Sequence, residues 1–352
     1  MPEGVFESVE VVRPVALKRW ERHLATVRGV AAGVPPVAAR SRSKAMAERA
    51  ATLLSTRDFD ATLLFELSAI QYCPRQSLAH TVANVEDPPS LRFARMVRLP
   101  IFSAKRRAVL ALDAALCWRY ERQVLPQLGK VLVLSEYDAK RFRKLHPRAN
   151  VSAVPYGVRC APENELLDQA SREPGMIVIS GNMFHPSNVE GVLFFLREVL
   201  PKVLAQFPEA KLYLVGARPD RRIRAAASVF GERVVITGRV ANISEYLRKA
   251  VVSVCPVRLV IGVQTKVLEA LAWGTPVVTT VEGNSGVAGE SGVQLWAEST
   301  ADKLATRVVE LLRGQNWSRL SQEGRSHVLR SFDWDTSAAL LEQHAASVRR
   351  QR

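Results

Sequence analysis

The sequence predicts an α/β fold made of two doubly wound, Rossmann-like domains. Short β-branched runs alternate with helical segments of about ten residues in both halves of the chain, and glycines stand at the turns. A length of 352 residues suits two domains that face each other across a cleft. Because 47% of the residues are hydrophobic and 24% are charged, composition excludes disordered chains, collagen and small disulfide scaffolds.

The second half shows the alternation most clearly. Its predicted strands are MIVIS, KLYLVG, RVVITG, VVSVCPV, TPVVTT and GVQLW, and its predicted helices include RRIRAAASVF, SEYLRKA, QTKVLEALAWG and ADKLATRVVELLRG. Ligands of open α/β sheets bind beyond the carboxyl ends of the strands. We therefore expect a site among the loops that follow these strands.

The first half repeats the theme with strands predicted at VEVVRP, DATLLFEL, AHTVANVE and KVLVLSE, and helices at AMAERAATLLST, AVLALDAALCWRYERQVL and YDAKRFRKL. A polar stretch rich in proline and glycine then predicts an interdomain linker. The predicted limits are 1–157 for the first domain, 158–175 for the linker, 176–330 for the second domain, and 331–352 for a C-terminal helix that packs back on the first domain.

The net charge of +15 predicts a polyanionic partner, which is a nucleic acid, an acidic membrane surface or a phosphorylated ligand. Two basic clusters, LRFARMVRLPIFSAKRR and KRFRKLHPR, lie in the first domain. A solvated basic face is the alternative for both. No signal peptide or apolar span of about 20 residues is present, so we expect a cytoplasmic protein with peripheral contact at the inner face of the plasma membrane.

The segment CPVRLVIGVQTKVLEALAWGTPVVTTVEGNSGV carries the strongest candidate site. Gly262 lets the backbone approach a ligand, and the residues after it open a helix whose free N–H groups suit a diphosphate. Lys266 and Glu269 stand three residues apart, hence on one helix face. A lysine can bind a phosphate, and a carboxylate can bind sugar hydroxyls. An exposed ion pair between these two side chains is the alternative.

This segment resembles the donor-site motif of retaining glycosyltransferases of family 4, which have the GT-B fold. The resemblance is closest to sugar transferases of bacterial exopolysaccharide and PEP-CTERM systems. It extends to SGNMFHPSNVEGVLFFLREVLPKV, AKLYLVGARP, VVITGRVANISEYL and LVLSEYDAKRFRKLHP. Family 4 often carries a glutamate at the position of Ile261, so sugar contacts there are expected from the backbone. The first domain also resembles the family without its opening strand.

The resemblance implies roles for particular residues. Glu269 would hold the ribose of the donor nucleotide, and Lys266 would contact the diphosphate. The other implied donor contacts are Gly181, Asn182, His185, Gly238, Arg239, Val240, Gly262, Val263, Gln264, Thr265, Gly283 and Gly286. A loop-stabilising role is the alternative for His185.

The implied reaction transfers a sugar from a nucleoside diphosphate sugar to a hydroxyl acceptor, with lipid-linked acceptors common for enzymes of this kind. We expect no cofactor and no metal site, because Glu86 and Asp87 run into two prolines and suggest a turn. His80, Glu66 and Glu86 are candidates for the acceptor's base, each with a structural role as the alternative. Competing functions are a non-catalytic GT-B module, a nucleotide-sugar epimerase and a nucleic-acid binder, the last weakened by sparse aromatic residues in the basic clusters.

Overall fold

A computed structural model describes residues 8–12, 19–259 and 262–349. Ile261 therefore lies outside the described residues. The strands are β1 (Thr62–Phe65), β2 (Thr81–Glu86), β3 (Lys130–Val133), β4 (Val151–Ala153), β5 (Met176–Ser180), β6 (Lys211–Val215), β7 (Val234–Gly238), β8 (Val252–Cys255), β9 (Val277–Thr280) and β10 (Trp296–Glu298).

Helices connect these strands throughout. They are α1 (Arg19–Ala31), α2 (Pro36–Ala39), α3 (Lys44–Thr56), α4 (Pro89–Met96), α5 (Ala104–Val124), α6 (Glu136–Leu145), α7 (Pro186–Phe194), α8 (Leu200–Gln206), α9 (Arg221–Ala227), α10 (Ser244–Lys249), α11 (Thr265–Ala272), α12 (Val281–Asn284), α13 (Ala301–Leu312), α14 (Trp317–Ser331) and α15 (Trp334–Ser347). A π-helical turn, Phe195–Val199, joins α7 to α8. Short 3-10 helices occupy Leu67–Tyr72, Arg75–His80, Leu125–Gln127, Glu163–Glu165 and Ser228–Arg233.

Two parallel sheets organise the chain. The first has four strands in the order β1-β2-β3-β4, so β1 lies at its edge. The second has six strands in the order β10-β9-β8-β5-β6-β7. The chain runs outward from β5 to β7 and then returns to the other side of β5 at β8. The boundary between β5 and β8 is thus the switch point, where a crevice opens beyond the strand ends.

Strand β5 shows why the second sheet is buried on both faces. Every residue of Met176–Ser180 is buried, which is the pattern of a central parallel strand. Ile177 and Ile179 join a core cluster with α7, α8 and α13, while Met176 and Val178 join a second cluster with α11 and α14. The sheet is therefore covered by helices on both sides, and α11 is held rigidly against one of them.

The C-terminal segment contacts the first sheet. Val348, just after α15, packs with Val82 of β2 and Leu132 of β3, and its carbonyl lies 3.0 Å from Nδ1 of His80. The Ser337 hydroxyl of α15 donates to the carbonyl of Pro155 at 2.9 Å. The domain limits predicted from the sequence stay predictions.

The α/β class and most predicted elements are confirmed, and two strand predictions are wrong. Residues 9–12 of VEVVRP form no strand. In GVQLW, the chain turns through Gly292 and enters β10 only at Trp296, with an isolated bridge between Ser291 and Leu295. Apolar residues at those positions fill the core beneath the turn, since Leu295 is fully buried. Helix α14 and strand β4 were not predicted.

Candidate functional site

Three glycines line the carboxyl ends of β5, β6 and β7. Gly181 has φ +137 and its N–H donates to the carbonyl of Val215 at 3.0 Å, while Gly216 donates to the carbonyl of Gly238 at 3.1 Å. A Cβ on Gly216 would stand 1.7 Å from the Gly181 carbonyl oxygen. Only glycine fits at position 216. The backbone after β6 therefore packs directly against the backbone after β5, at the edge of the crevice.

Asn182 and Asn188 fold the loop between β5 and α7 onto itself. The Asn182 side-chain oxygen accepts the N–H of Phe184 at 3.1 Å, and its carbonyl accepts the N–H of His185 at 3.1 Å and the side-chain amide of Asn188 at 2.9 Å. His185 is the residue before α7. Burial, with the nearby charges of Lys266 and Arg92, lowers the pKa of His185. Both cations therefore disfavour the protonated imidazole.

Lys266 reaches across the switch point from α11 to this loop. Its ammonium group donates to the side-chain oxygen of Asn188, and Nζ stands 3.5 Å from where a Cβ of Gly181 would lie. The alternative of a Lys266–Glu269 ion pair is not observed: among the described residues, the ion pairs do not include it. Lys266 is held at the phosphate-side loop by a neutral partner, so its positive charge is available to an anion.

The amino end of α11 lies beside the same crevice. Gln264 precedes the helix and makes no side-chain capping bond, so no side chain of its own occupies the helix end. Gly262 has φ +67, and Gly286 approaches so closely that a Cβ on it would meet the Gly262 carbonyl oxygen at 2.8 Å. Val263 is buried, whereas Thr265 is half-buried at the first helical turn. The helix end therefore offers backbone N–H groups and a positive dipole to an anion.

Glu269 stands one turn further along α11 and is half-buried. Burial raises its pKa, and the charge of Lys266 opposes that rise. The oxygens of the Glu269 carboxyl are hydrogen-bond acceptors. Glu269 can therefore accept hydrogen bonds from a pair of vicinal hydroxyls.

The other residues predicted to bind the donor differ in how deeply they are buried. Gly238 has φ +69 with open space where a Cβ would point, and Arg239 beyond it is exposed. Val240 packs against the core beneath α11. Gly283 is tightly enclosed, since a Cβ would meet the Thr279 hydroxyl at 2.2 Å. Its N–H is not free to donate to a ligand, because it already donates to the Thr280 hydroxyl at 2.8 Å.

The first domain contributes residues that were not predicted from the sequence. Asp87 follows β2, and its Oδ1 lies 2.9 Å from where a Cβ of Gly262 would be. Arg92 of α4 lies close enough to lower the pKa of His185. The sequence signal was available, because Asp87 comes directly after a buried strand whose carboxyl end must face the cleft. Pro88 and Pro89, which follow Asp87, predict a turn there and so do not indicate a site.

The three candidates for the acceptor's base lie at opposite ends of the first sheet. Glu66 follows β1 and Glu86 is the last residue of β2, and their φ values are +67 and +53. His80 precedes β2 and binds the carbonyl of Val348 at the opposite, amino end of the sheet. A catalytic role for His80 is therefore wrong, because the site loops lie at the carboxyl ends of the strands.

Two properties concern the described residues as a set. Within residues 8–12, 19–259 and 262–349, no group of three or more His, Cys, Asp or Glu side chains could hold a metal ion. No helix in this part of the chain is long and apolar enough to cross a membrane.

Residues 174–314, less than half of the chain, match the family model described as glycosyl transferases group 1. The match spans β5 through α13, and so contains Gly181, Lys266 and Glu269. No curated protein matches the sequence significantly.

Solved structures give the architecture of the whole chain. Sucrose-phosphate synthase from Thermosynechococcus elongatus superposes with a TM-score of 0.65 at 18% identity, covering 84% of this chain and 75% of that one. HepE of Anabaena, in complex with UDP and glucose, gives 0.63 at 15% identity, covering 87% and 82%. TarM of S. aureus gives 0.64 at 10% identity, covering 86% of this chain and 59% of that protein. The described part of the chain thus has the two-domain, Rossmann-like GT-B fold.

Proposed function

We propose that the protein is a retaining glycosyltransferase that moves a sugar from a nucleoside diphosphate sugar to a hydroxyl acceptor. Its biological role would lie in bacterial polysaccharide, glycolipid or glycoconjugate biosynthesis. One observation carries the proposal. Lys266, held by Asn188 against the Gly181 loop, stands beside the open amino end of α11, with Glu269 on the same helix face.

The arrangement matches the charges of such a donor. The diphosphate fits between Lys266 and the α11 amino end, where positive charge meets the charge that develops on the β-phosphate. Glu269 accepts hydrogen bonds from the ribose hydroxyls. The bond between the anomeric carbon and the β-phosphate oxygen breaks, and its electron pair leaves with the nucleoside diphosphate. The acceptor oxygen bonds to the anomeric carbon, and its proton passes to the departing phosphate oxygen. The structures of TarM and HepE hold UDP, which supports a nucleoside diphosphate here.

Binding of the nucleotide is the first prediction. We expect nucleoside diphosphates and their sugars to raise the melting temperature of the protein, with about 2.7 kcal/mol of stabilisation when the ligand is at 100 times its Kd. Glu269→Ala should weaken nucleotide binding roughly tenfold to a hundredfold, because a hydrogen bond to a charged group is lost. Thermal shift measures the first effect, and isothermal titration the second.

The control is Glu232→Ala, which removes an exposed carboxylate just before β7, at the amino end of that strand. It should bind nucleotides as the wild type does. Unchanged nucleotide affinity in Glu269→Ala would contradict the ribose assignment. Release of free sugar or transfer to an acceptor then separates an enzyme from a non-catalytic module, which would bind the same ligands without turnover.

We also propose peripheral docking of the first domain on an anionic membrane, which would serve a lipid-linked acceptor. Two arginines of the basic clusters already pair with carboxylates of the protein: Arg95 with Asp138, and Arg143 with Glu136. The exposed basic residues that remain are Arg98, Lys105, Arg106, Arg107, Lys140, Arg141, Lys144 and Arg148. Each basic residue near an anionic surface contributes about 1 kcal/mol.

The docking surface makes the second prediction. Reversing Arg98, Lys105 and Arg106 to glutamate should abolish co-sedimentation with vesicles that contain phosphatidylglycerol, because three attractive charges become repulsive. Binding by the wild type should weaken with salt. Lys303→Glu, on α13 of the second domain, is the control that keeps wild-type binding. Co-sedimentation that is independent of anionic lipid would contradict the proposal.

A further inference from the structure

Helix α1 presents an apolar stripe to solvent. Trp20, Leu24 and Val27 are spaced by four and three residues, which places them on one face of the helix. Their exposed fractions are 62%, 42% and 65%. A surface helix of a globular protein normally turns such a stripe toward the core. Because α1 turns it outward, the stripe indicates a contact with a membrane or with another molecule.

The side of α1 opposite the stripe attaches the helix to the first domain. Gly29 lies about two and a half helical turns after Trp20, hence on the other side of the helix. A Cβ on Gly29 would stand 2.5 Å from the Cβ of Ala39 in α2. The Gly29 carbonyl accepts the N–H of Val34 at 2.9 Å, and Val34 packs against the core of the first sheet. The stripe therefore points away from the body of the domain.

The pair of helices α1 and α2 lies beside the proposed docking surface. Arg40 directly follows α2, and Arg106 belongs to the basic residues proposed to dock. Burial raises the pKa of Asp113 of α5, and the nearby charges of Arg40 and Arg106 oppose that rise. Both arginines therefore lie close to Asp113. Leu112, the neighbour of Asp113 in α5, is also exposed.

The charge of α1 decides between the possible occupants of its outer face. The helix sequence, RWERHLATVRGVA, holds three arginines and one glutamate, and the side chains of His23 and Arg28 are exposed. A second copy of α1 would bring like charges together. An apolar stripe with tryptophan and leucine beside basic residues is typical of helices that lie in the interface of an anionic bilayer. Tryptophan also favours the boundary between water and lipid.

We propose that α1 lies in the plane of an anionic membrane and inserts Trp20, Leu24 and Val27 among the acyl chains. This inference rests on the proposed docking of the first domain, and it adds apolar insertion to the attraction between charges. Arg28 keeps its cation among the headgroup phosphates while its stem lies along the apolar layer. The basic surface attracts the protein to the membrane, and α1 retains it there.

The test measures co-sedimentation with vesicles of phosphatidylcholine and phosphatidylglycerol. A variant with Trp20→Gln, Leu24→Gln and Val27→Gln keeps the net charge and a good helix former at each position. It should bind about a hundredfold more weakly than the wild type, because three apolar side chains no longer leave water. The control, Val229→Gln with Leu329→Gln, replaces exposed apolar side chains of the second domain and should bind as the wild type does.

Salt separates insertion from charge attraction. In about 1 M NaCl the Debye length falls to about 3 Å, so charge attraction is largely screened. The wild type should retain part of its binding there, and the α1 variant should retain none. The α1 variant should melt at the wild-type temperature, because the replaced side chains are exposed.

Fluorescence reports the depth of the inserted side chain. Lipids brominated on the acyl chains should quench the tryptophan fluorescence of the vesicle-bound wild type. This quenching should be largely lost in Trp20→Phe, which keeps an apolar ring and should still bind the vesicles. Quenching that is the same in the wild type and in Trp20→Phe would place Trp20 outside the acyl layer and overturn the inference.

The remaining outcomes separate insertion from docking. If the α1 variant binds vesicles as tightly as the wild type, while reversal of Arg98, Lys105 and Arg106 abolishes binding, only the insertion of α1 falls. If the wild type does not bind anionic vesicles, the proposed docking falls with it. If light scattering shows a wild-type dimer that the α1 variant cannot form, the stripe is an interface between two copies and the inference is overturned.

Discussion

Replacing Lys266 with alanine should lower kcat for sugar transfer by about 10²–10³-fold, the range measured when one preorganised donor to a developing oxyanion is removed. The ammonium group is held by Asn188 at the loop after β5, and its Nζ stands 3.5 Å from where a Cβ of Gly181 would lie. It therefore meets the leaving diphosphate without reorganising. Because charge on the β-phosphate grows in the transition state, the loss should appear in kcat more than in the affinity for the donor.

Steady-state kinetics of nucleoside diphosphate release would measure this loss. Lys266→Arg keeps the charge but is too bulky for the contact with Asn188, so we expect partial activity. Lys303→Ala, on α13, removes an exposed lysine and should leave kcat unchanged. A Lys266→Ala enzyme that retains wild-type kcat would remove Lys266 from the reaction.

The second sheet was predictable because local sequence determines it. Buried β-branched runs such as MIVIS must lie in a central parallel strand, and the chain can reach the next strand only through a helix. The rule that sites form at the carboxyl ends then brings Gly181 and Lys266 to one crevice. The strand order around β5, which makes that crevice a switch point, required the structure.

Contacts between distant segments could not be read from spacing. Helical spacing left an ion pair between Lys266 and Glu269 as an alternative, yet the partner of Lys266 is Asn188, 78 residues away along the chain. A hydrogen bond across the switch point competes with the local pair, and no local pattern reports it. The sequence places Asp87 at the carboxyl end of β2, but its position opposite Gly262 depends on how the two domains close.

Arg172 is a further case in which a distant arrangement decides the role of a residue. It lies within the predicted linker and is 3% exposed. Its guanidinium donates to the carbonyls of Leu247 and Ala250 at the end of α10, at 3.1 and 2.8 Å. It also donates to those of Trp273 and Gly274 at the end of α11, at 3.2 and 3.0 Å.

Carbonyls at the ends of helices lack partners within the helix and carry partial negative charge, so a planar cation with five donors suits them. The guanidinium also stacks on Trp317, 4.8 Å from the ring centroid. Burial lowers the pKa of Arg172 to about 10, and it stays charged at neutral pH. One side chain thus ties together α10, α14 and the end of α11 opposite the donor site.

Arg172→Met should destabilise the second domain by about 3–5 kcal/mol, because several buried carbonyls lose their donors at once. Arg172→Lys should lose less, since it keeps the charge but lacks the planar fork. Urea unfolding followed by tryptophan fluorescence would measure both, and Arg224→Met, at an exposed position of α9, should shift the midpoint little. At urea concentrations below its own midpoint, Arg172→Met should still bind nucleotides, because Arg172 anchors α11 and touches no ligand. A loss of stability below about 1 kcal/mol in Arg172→Met would mean that water satisfies these helix ends as well as the guanidinium does.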